Sequence, residues 1–199
     1  MVIEQLECKK QKCFTYKQYR NLMQQLVADQ SSTGKEISED FVNFTKLNDM
    51  RMKRLEKTVK VPEDLKTRVS QFKGKVTWVV IVESWCADGA QVLPVIHKMA
   101  ELNGGIRLKV VLRDDNDALM DQFLTNGARA IPKLIMIDNS TDEVLGTFGP
   151  RPSAVTKIVE EYKHIHGKVT PEFKEELQRW YNNDRGLTIM EDLLALLKC

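Results

Sequence analysis

The sequence predicts an α/β protein with a central mixed β-sheet that helices cover on both faces. The continuous β-branched run at 76–82 is typical of a strand buried on both faces. Helical and strand-like patterns then follow in the order strand, helix, strand, helix, strand, strand, helix, which requires right-handed crossovers. Further helical patterns lie before residue 75 and after residue 167, so we expect helical extensions at both ends.

Three helices are predicted before the first strand of the sheet. The first covers 15–31 with Thr15 as its cap, and the second begins after Ser38. The third opens at 61–62, where a proline is followed by two acidic residues. The second helix carries apolar residues at helical spacing, which we predict to lie in the core: Phe41, Phe44, Leu47, Met50, Met52 and Leu55.

The central unit is predicted to contain four strands and three helices. The strands lie at 76–82, 106–112, 132–137 and 143–148, and the short turn between the last two indicates a hairpin. Its helices are predicted at 86–102, with an interruption at Pro94, at 115–124 and at 152–164.

Two more helices are predicted at the C-terminal end, one starting at Thr170 and one after Thr188. The leucine-rich last helix must be buried, most economically against the N-terminal helices. The predicted division is an N-terminal helical extension at 1–60, a central domain at 61–166 and a C-terminal helical extension at 167–199, all within one compact unit.

Composition excludes several classes of protein. A net charge of +2 without a basic, aromatic-rich stripe argues against nucleic-acid binding. The longest apolar run is far below the ~20 residues that cross a bilayer, so no membrane association is expected. The start of the chain lacks the apolar stretch of a signal peptide, which predicts a cytoplasmic protein. Four cysteines are too few for a disulfide scaffold, and no spacing predicts a metal site.

Cys86 is the principal candidate for chemistry. It follows the first strand and precedes a helix, where unpaired N–H groups and the helix dipole stabilise a thiolate. A dithiol redox motif would need a second cysteine three residues later, but Gly89 stands there. Asp88 in the first helical turn suits the dipole, yet its charge close to the sulfur disfavours the thiolate. The sequence leaves open which effect prevails.

Each candidate residue also has a purely structural interpretation. A cysteine without a disulfide is usually a small buried apolar residue, but the helix start and the adjacent Trp85 favour an accessible, ionisable thiol. For Gln91 we favour a solvated side chain, and for His97 and Lys98 surface positions.

Several motifs in fixed order resemble the thioredoxin fold over about residues 60–165. They are Trp85-Cys86, the proline eight residues later, Ile131-Pro132 before the third strand, and the glycine before the last helix of the unit. The stretch at 83–91, together with the N-terminal helices, is similar to a group of bacterial thioredoxin-family proteins with a Trp-Cys-Gly-Asp pattern.

This resemblance implies roles for particular residues. Cys86 matches the nucleophile, and Pro132 matches the cis-proline that faces it. The backbone of Ile131 would then be presented to an extended thiol substrate, and Trp85 would form an apolar rim. The first strand has no carboxylate beneath the cysteine. Glu83 is the nearest candidate, and its place at the strand end leaves solvent exposure open.

Two functions remain open. In the first, Cys86 carries out monothiol disulfide exchange with protein or small-molecule thiols and disulfides. A second thiol then resolves the mixed disulfide: free glutathione, or one of the other three cysteines if folding brings it near. In the second, the chain is a non-catalytic binding module that uses the cis-proline groove. No cofactor is expected otherwise, and a monomer is favoured. A glutathione transferase or a peroxiredoxin fits less well, because the C-terminal tail is short and Glu83 replaces the signature threonine.

Overall fold

The first helices begin at side-chain caps. The computed structural model describes residues 13–198, which start with strand β1 (Cys13–Phe14) and helices α1 (Tyr16–Ala28), α2 (Glu39–Thr58) and α3 (Glu63–Gln71). Thr15 accepts the backbone N–H of Gln18, whose side chain accepts the Thr15 N–H in return. Ser38 caps α2 by accepting the N–H of Phe41. Both caps satisfy backbone donors that a helix start leaves unpaired, as predicted from the sequence.

The remaining elements follow in the predicted order, with shifted ends. The strands are β2 (Val76–Val82), β3 (Ile106–Leu112), β4 (Lys133–Asp138) and β5 (Val144–Phe148). The helices are α4 (Ala87–Glu101), α5 (Asp117–Met120), α6 (Ser153–His166), α7 (Pro171–Asp184) and α8 (Leu187–Leu197).

The five described strands form one mixed sheet in the order β1-β3-β2-β4-β5. At its centre, β2 runs parallel to β3 and antiparallel to β4, and all seven of its residues are buried. Strands β4 and β5 form the predicted antiparallel hairpin. The α/β class, the mixed sheet and the helical extensions are therefore confirmed. Strand β1 was not predicted, because two residues are too short for a periodic pattern.

Two predicted helices differ from the observed ones. The helix predicted at 115–124 is confined to the four residues of α5. Helix α4 continues through Pro94 rather than being interrupted there.

The last helix packs on one of the predicted N-terminal helices and on the central unit. Helix α8 lies chiefly against α4, α3, β5 and α6. Its buried residues include Met190, Leu193 and Leu194. The leucine-rich end is therefore buried as expected, but it covers the central unit directly.

The buried face of α2 is polar, and the predicted core residues on this helix were partly wrong. Phe44 and Leu47 are exposed, and Met50 is 55% exposed. The buried face, which packs against α4, instead carries Thr45, Asn48, Asp49, Met52 and Leu55. Its polar positions face Ser84 and a buried arginine, whose hydrogen-bonding groups apolar side chains would leave without partners.

The division into three segments stays a prediction. Within residues 13–198, no helix is long and apolar enough to span a membrane.

Candidate functional site around Cys86

Cys86 lies between the end of the central strand β2 and the start of helix α4. It is the N-cap of that helix, and its Sγ accepts the backbone N–H of Gly89 at 3.3 Å. The thiol donates to the carbonyl oxygen of Ile131, also at 3.3 Å. The sequence predicted this position at the N-terminus of a helix. The residue is only 7% exposed, however, so the expectation of an accessible thiol was wrong.

Burial, and next to it the charge of Asp88, raise the pKa of Cys86 to about 12. The Gly89 N–H and the Arg151 guanidinium lower the pKa but do not compensate. A thiolate enclosed by protein loses its hydration, and a neighbouring carboxylate repels it. The charge of Asp88 therefore disfavours the thiolate.

The loop before Cys86 is held by the N-terminal extension through one serine. The hydroxyl of Ser84 accepts the N–H of Thr33 at 2.9 Å and lies 2.7 Å from the hydroxyl of Thr45. The Ser84 N–H donates to Thr33 Oγ1 at 2.8 Å, and its carbonyl accepts the Asn48 amide at 2.9 Å. We call Thr33, Thr45, Asn48 and Ser84 the polar clasp. The clasp holds the extension over the loop that carries Cys86.

Trp85 is covered by the same extension. Its indole N–H donates to the carbonyl of Thr33 at 3.1 Å, and its ring stacks on Phe41 with centroids 4.5 Å apart. The Arg113 guanidinium lies 4.9 Å from the ring centroid on another side. The predicted apolar rim is therefore half-buried beneath residues of this chain.

Ile131, which precedes the predicted cis-proline, contacts Cys86 just before β4. The Ile131–Pro132 peptide bond is cis, and both residues are buried. The Ile131 carbonyl accepts the Cys86 thiol. The predicted presentation of this backbone to an extended substrate therefore competes with a contact inside the chain.

Glu83 is buried rather than facing solvent. It is 1% exposed, its Oε1 accepts the N–H of Asp114 at 2.9 Å, and burial raises its pKa. The end of β2 is covered by the segment that contains Thr33, which excludes solvent from this carboxylate. Glu83 stands three residues before Cys86 in the sequence, but this proximity alone does not make it a proton donor to the sulfur. Its role stays a prediction.

Asp88 has two partners that sequence reasoning missed. Arg151 contacts its Oδ2 through Nη2 at 2.8 Å, and Tyr181 donates to its Oδ1 at 3.0 Å. Burial raises the pKa of Asp88, although both partners lower it. No local pattern could have indicated these contacts, since the two partners lie far away in the sequence on the segments around α6 and α7.

Three side chains of α4 are less exposed than predicted. Gln91 is buried, at 3% exposure. His97 is half-buried and stacks on Tyr16 with centroids 3.9 Å apart. The Lys98 ammonium donates to the Val59 carbonyl at 2.6 Å. These side chains are covered because α2 and the residues around it pack along the whole of α4.

Among residues 13–198, no second cysteine lies beside Cys86. Cys13 lies on the edge strand β1, two strands from β2, and no disulfide joins it to Cys86. Cys8 and Cys199, predicted as alternative resolving thiols, lie outside the described residues. Among the described residues, no group of three or more histidine, cysteine or acidic side chains is arranged to hold a metal ion.

A family model described as thioredoxin matches residues 34–163, well over half of the chain. The chain therefore belongs to this thioredoxin family. The match starts within the segment predicted as the N-terminal extension, so it includes Thr45, Asn48 and Ser84 of the polar clasp and strands β2 to β5, while Thr33 and β1 precede it. The particular role of Cys86 is not part of what the match shows.

Two solved structures share the fold. A protein of unknown function from Pseudomonas aeruginosa has a TM-score of 0.61 at 20% identity, over 93% of this chain and 98% of that one. An HIV epitope scaffold has a TM-score of 0.59 at 20% identity, over 79% of this chain and 91% of that one. No curated protein matches the chain. At these identities the likeness concerns the fold alone.

The space beside Gly89 yields a first prediction. A Cβ at position 89 would lie 2.6 Å from Cγ2 of Val82, a stiff β-branched side chain at the end of β2. We expect Gly89→Ala to lower the free energy of unfolding by about 1 kcal/mol or more, because overpacking outweighs the helix propensity of alanine. Urea denaturation measures the change.

The matched control combines Gly89→Ala with Val82→Ala. With the valine methyls removed, the same substitution should cost less than in the wild type, because the 2.6 Å clash is gone and only the closer fit against Cys86, at 3.3 Å, opposes the helix propensity of alanine. A Gly89→Ala chain as stable as the wild type would show that this position has room for a second cysteine.

The raised pKa of Cys86 yields a second prediction, for stability against pH. The folded chain holds the proton up to about pH 12, whereas an unfolded cysteine releases it near ~8.5. The resulting stabilisation is complete below pH ~8.5 and is lost as the pH rises toward the folded pKa. Between about pH 7.5 and 9.5 the wild type should lose roughly 1 kcal/mol more than Cys86→Ala. Parallel urea titrations measure the difference, and equal slopes would contradict the burial of a neutral thiol.

Proposed function

We propose that this chain is a thioredoxin-fold binding module in which Cys86 is kept as a buried thiol. The observation that supports this most directly is the enclosure of the sulfur by the chain itself. The polar clasp holds the extension over the loop that precedes Cys86, and the Ile131 carbonyl accepts a hydrogen bond from the thiol.

Disulfide exchange requires an ionised sulfur and an approach path to it. With a pKa of about 12, roughly one sulfur in 10⁵ is ionised at pH 7. Cys86 is also 7% exposed, and the neighbouring indole is capped by Phe41. The arrangement around Cys86 therefore meets neither requirement for disulfide exchange. A binding role needs neither an ionised sulfur nor an approach path to it.

The binding face that we favour is the open side of the α4 N-terminus. The predicted cis-proline groove is less suitable, because Ile131 and Pro132 are buried and bonded within the chain. By contrast, Asp88 and Gln91 line a cavity on the side of α4 that faces α7.

Monothiol exchange remains the second candidate, because one observation favours it. Cys86 caps α4, and the Gly89 N–H points at its sulfur, an arrangement that would stabilise a thiolate once the site opened. The Cys86 thiolate would attack one sulfur of a disulfide, form a mixed disulfide and release the other sulfur as a thiolate. A thiol from solution, such as glutathione, would then attack the mixed disulfide and free Cys86.

One assay decides between the two candidates. The rate of reduction of a small-molecule disulfide by glutathione is measured with the wild type, Cys86→Ser and the control Cys13→Ser. For a binding module we expect all three chains to give the background rate, because the buried thiol takes no part. A wild-type rate at least tenfold above that of Cys86→Ser, with Cys13→Ser unchanged, would replace our proposal by monothiol exchange.

A further inference from the structure

A cavity of about 270 Å³ lies where α2, α4, α6 and α7 meet. It is separate from the Cys86 sulfur but shares Asp88 with that site. Its size is slightly below that of common small-molecule sites, which indicates a small ligand.

The charges around this cavity are strongly unequal. The one acidic group, Asp88, is already paired with Arg151. Arg51 donates to the Asn48 side chain, and within residues 13–198 it has no carboxylate partner. Lys163 and Lys174 likewise form no ion pair with a described residue. The cationic residues that line the cavity are Arg51, Arg151, Lys163 and Lys174. Their excess positive charge favours an anion.

Two buried donors at the cavity lack acceptors. The amide nitrogen Nε2 of Gln91 and the guanidinium Nε of Arg151 are both inaccessible to solvent, and neither has a hydrogen-bond partner in the described part of the chain. Gln91 is 97% buried, since its exposure is 3%. A buried donor without an acceptor is unfavourable and uncommon in native proteins. An oxyanion is the acceptor that two such donors suit best, because a charged acceptor strengthens both bonds.

The walls of the cavity are partly apolar. Phe44, Val169 and Leu177 line it together with the cations. The exposure of Phe44, which a core position would not explain, is consistent with a contact for a bound ligand. A hydrated inorganic ion would leave these walls without a partner, whereas an organic anion would cover them.

We propose that this cavity binds a small organic carboxylate, whose oxygens accept Gln91 Nε2 and Arg151 Nε after a small rotation of each side chain, while its apolar body contacts Phe44 and Leu177. Arg51 and the two lysines balance the charge. This inference rests on the proposed binding function and gives its ligand class.

The first test is an NMR titration with benzoate, which combines a carboxylate with an apolar body, at constant ionic strength. We expect saturable shifts of the Gln91 side-chain amide and of the Arg151 Nε–H signal. Benzamide, the neutral counterpart, should bind at least tenfold more weakly. The proposal is overturned if benzamide binds as well as benzoate, or if neither signal shifts saturably.

The second test uses Gln91→Met, which keeps the length of the side chain and removes the donor. The affinity for benzoate should fall at least tenfold while the melting temperature is unchanged or raised, because the lost Nε2 donor had no acceptor. The matched control is Gln25→Met on the exposed face of α1, which should keep full affinity. Arg51→Gln should weaken binding several-fold without unfolding the chain. An unchanged affinity in Gln91→Met would overturn the assignment.

These outcomes are independent of the disulfide assay. If benzoate binds as expected while Cys86 accelerates disulfide reduction, only the non-catalytic proposal fails. If Cys86 is inert and benzoate does not bind, only the ligand class fails.

Discussion

The polar clasp around Ser84 is the constraint on which the rest of the structure depends. Every hydrogen-bonding group of this serine is engaged by the N-terminal extension: its hydroxyl and N–H by Thr33, its hydroxyl also by Thr45, and its carbonyl by Asn48. All four residues are buried. Removal of one partner would leave a buried polar group unsatisfied, so the contacts support one another. The extension is thus attached to the loop at the end of β2 rather than only to the outside of the sheet.

This attachment changes the character of the thiol site. Helix α4 presents Cys86 at its N-cap, where backbone donors favour a thiolate, but the covering extension removes the water that a thiolate needs. Asp88 adds a repulsive charge on the same turn. Desolvation and repulsion together exceed the stabilisation of the thiolate by the helix start. The fold therefore keeps Cys86 at the position of a nucleophile, but the thiol stays protonated.

The same helix also connects the sulfur to the cationic cavity. Gln91 lies about one turn beyond Asp88, and Asp88 is bonded to Arg151 at one oxygen and to Tyr181 at the other. An anion that engaged Arg151 would alter the field at Asp88 and hence at Cys86. Binding of the proposed ligand would therefore be linked to the protonation of the thiol through one carboxylate.

The sequence was a good guide where structure depends on local patterns. The buried strand β2, the hairpin and the caps at Thr15, Ser38 and Thr170 all follow from periodicity and capping chemistry. It failed in part on α2, because Phe44, Leu47 and Met50 are exposed while Thr45 and Asn48 face the loop, although Met52 and Leu55 are buried as predicted. Such a choice depends on what the helix packs against. The contacts of Arg151 and Tyr181 were equally beyond reach, since only the tertiary fold brings them to Asp88.

The most direct test of this account is the ionisation of Cys86 in the folded chain. Thiolate ultraviolet absorbance would be titrated in a chain with Cys8, Cys13 and Cys199 changed to serine, with the additional Cys86→Ser chain subtracted as the tyrosine baseline. We expect no Cys86 thiolate through about pH 10 in the folded chain, and a midpoint near ~8.5 once urea has unfolded it. A folded midpoint at or below ~8.5 would contradict the account, because it would mean that the helix start outweighs both burial and Asp88.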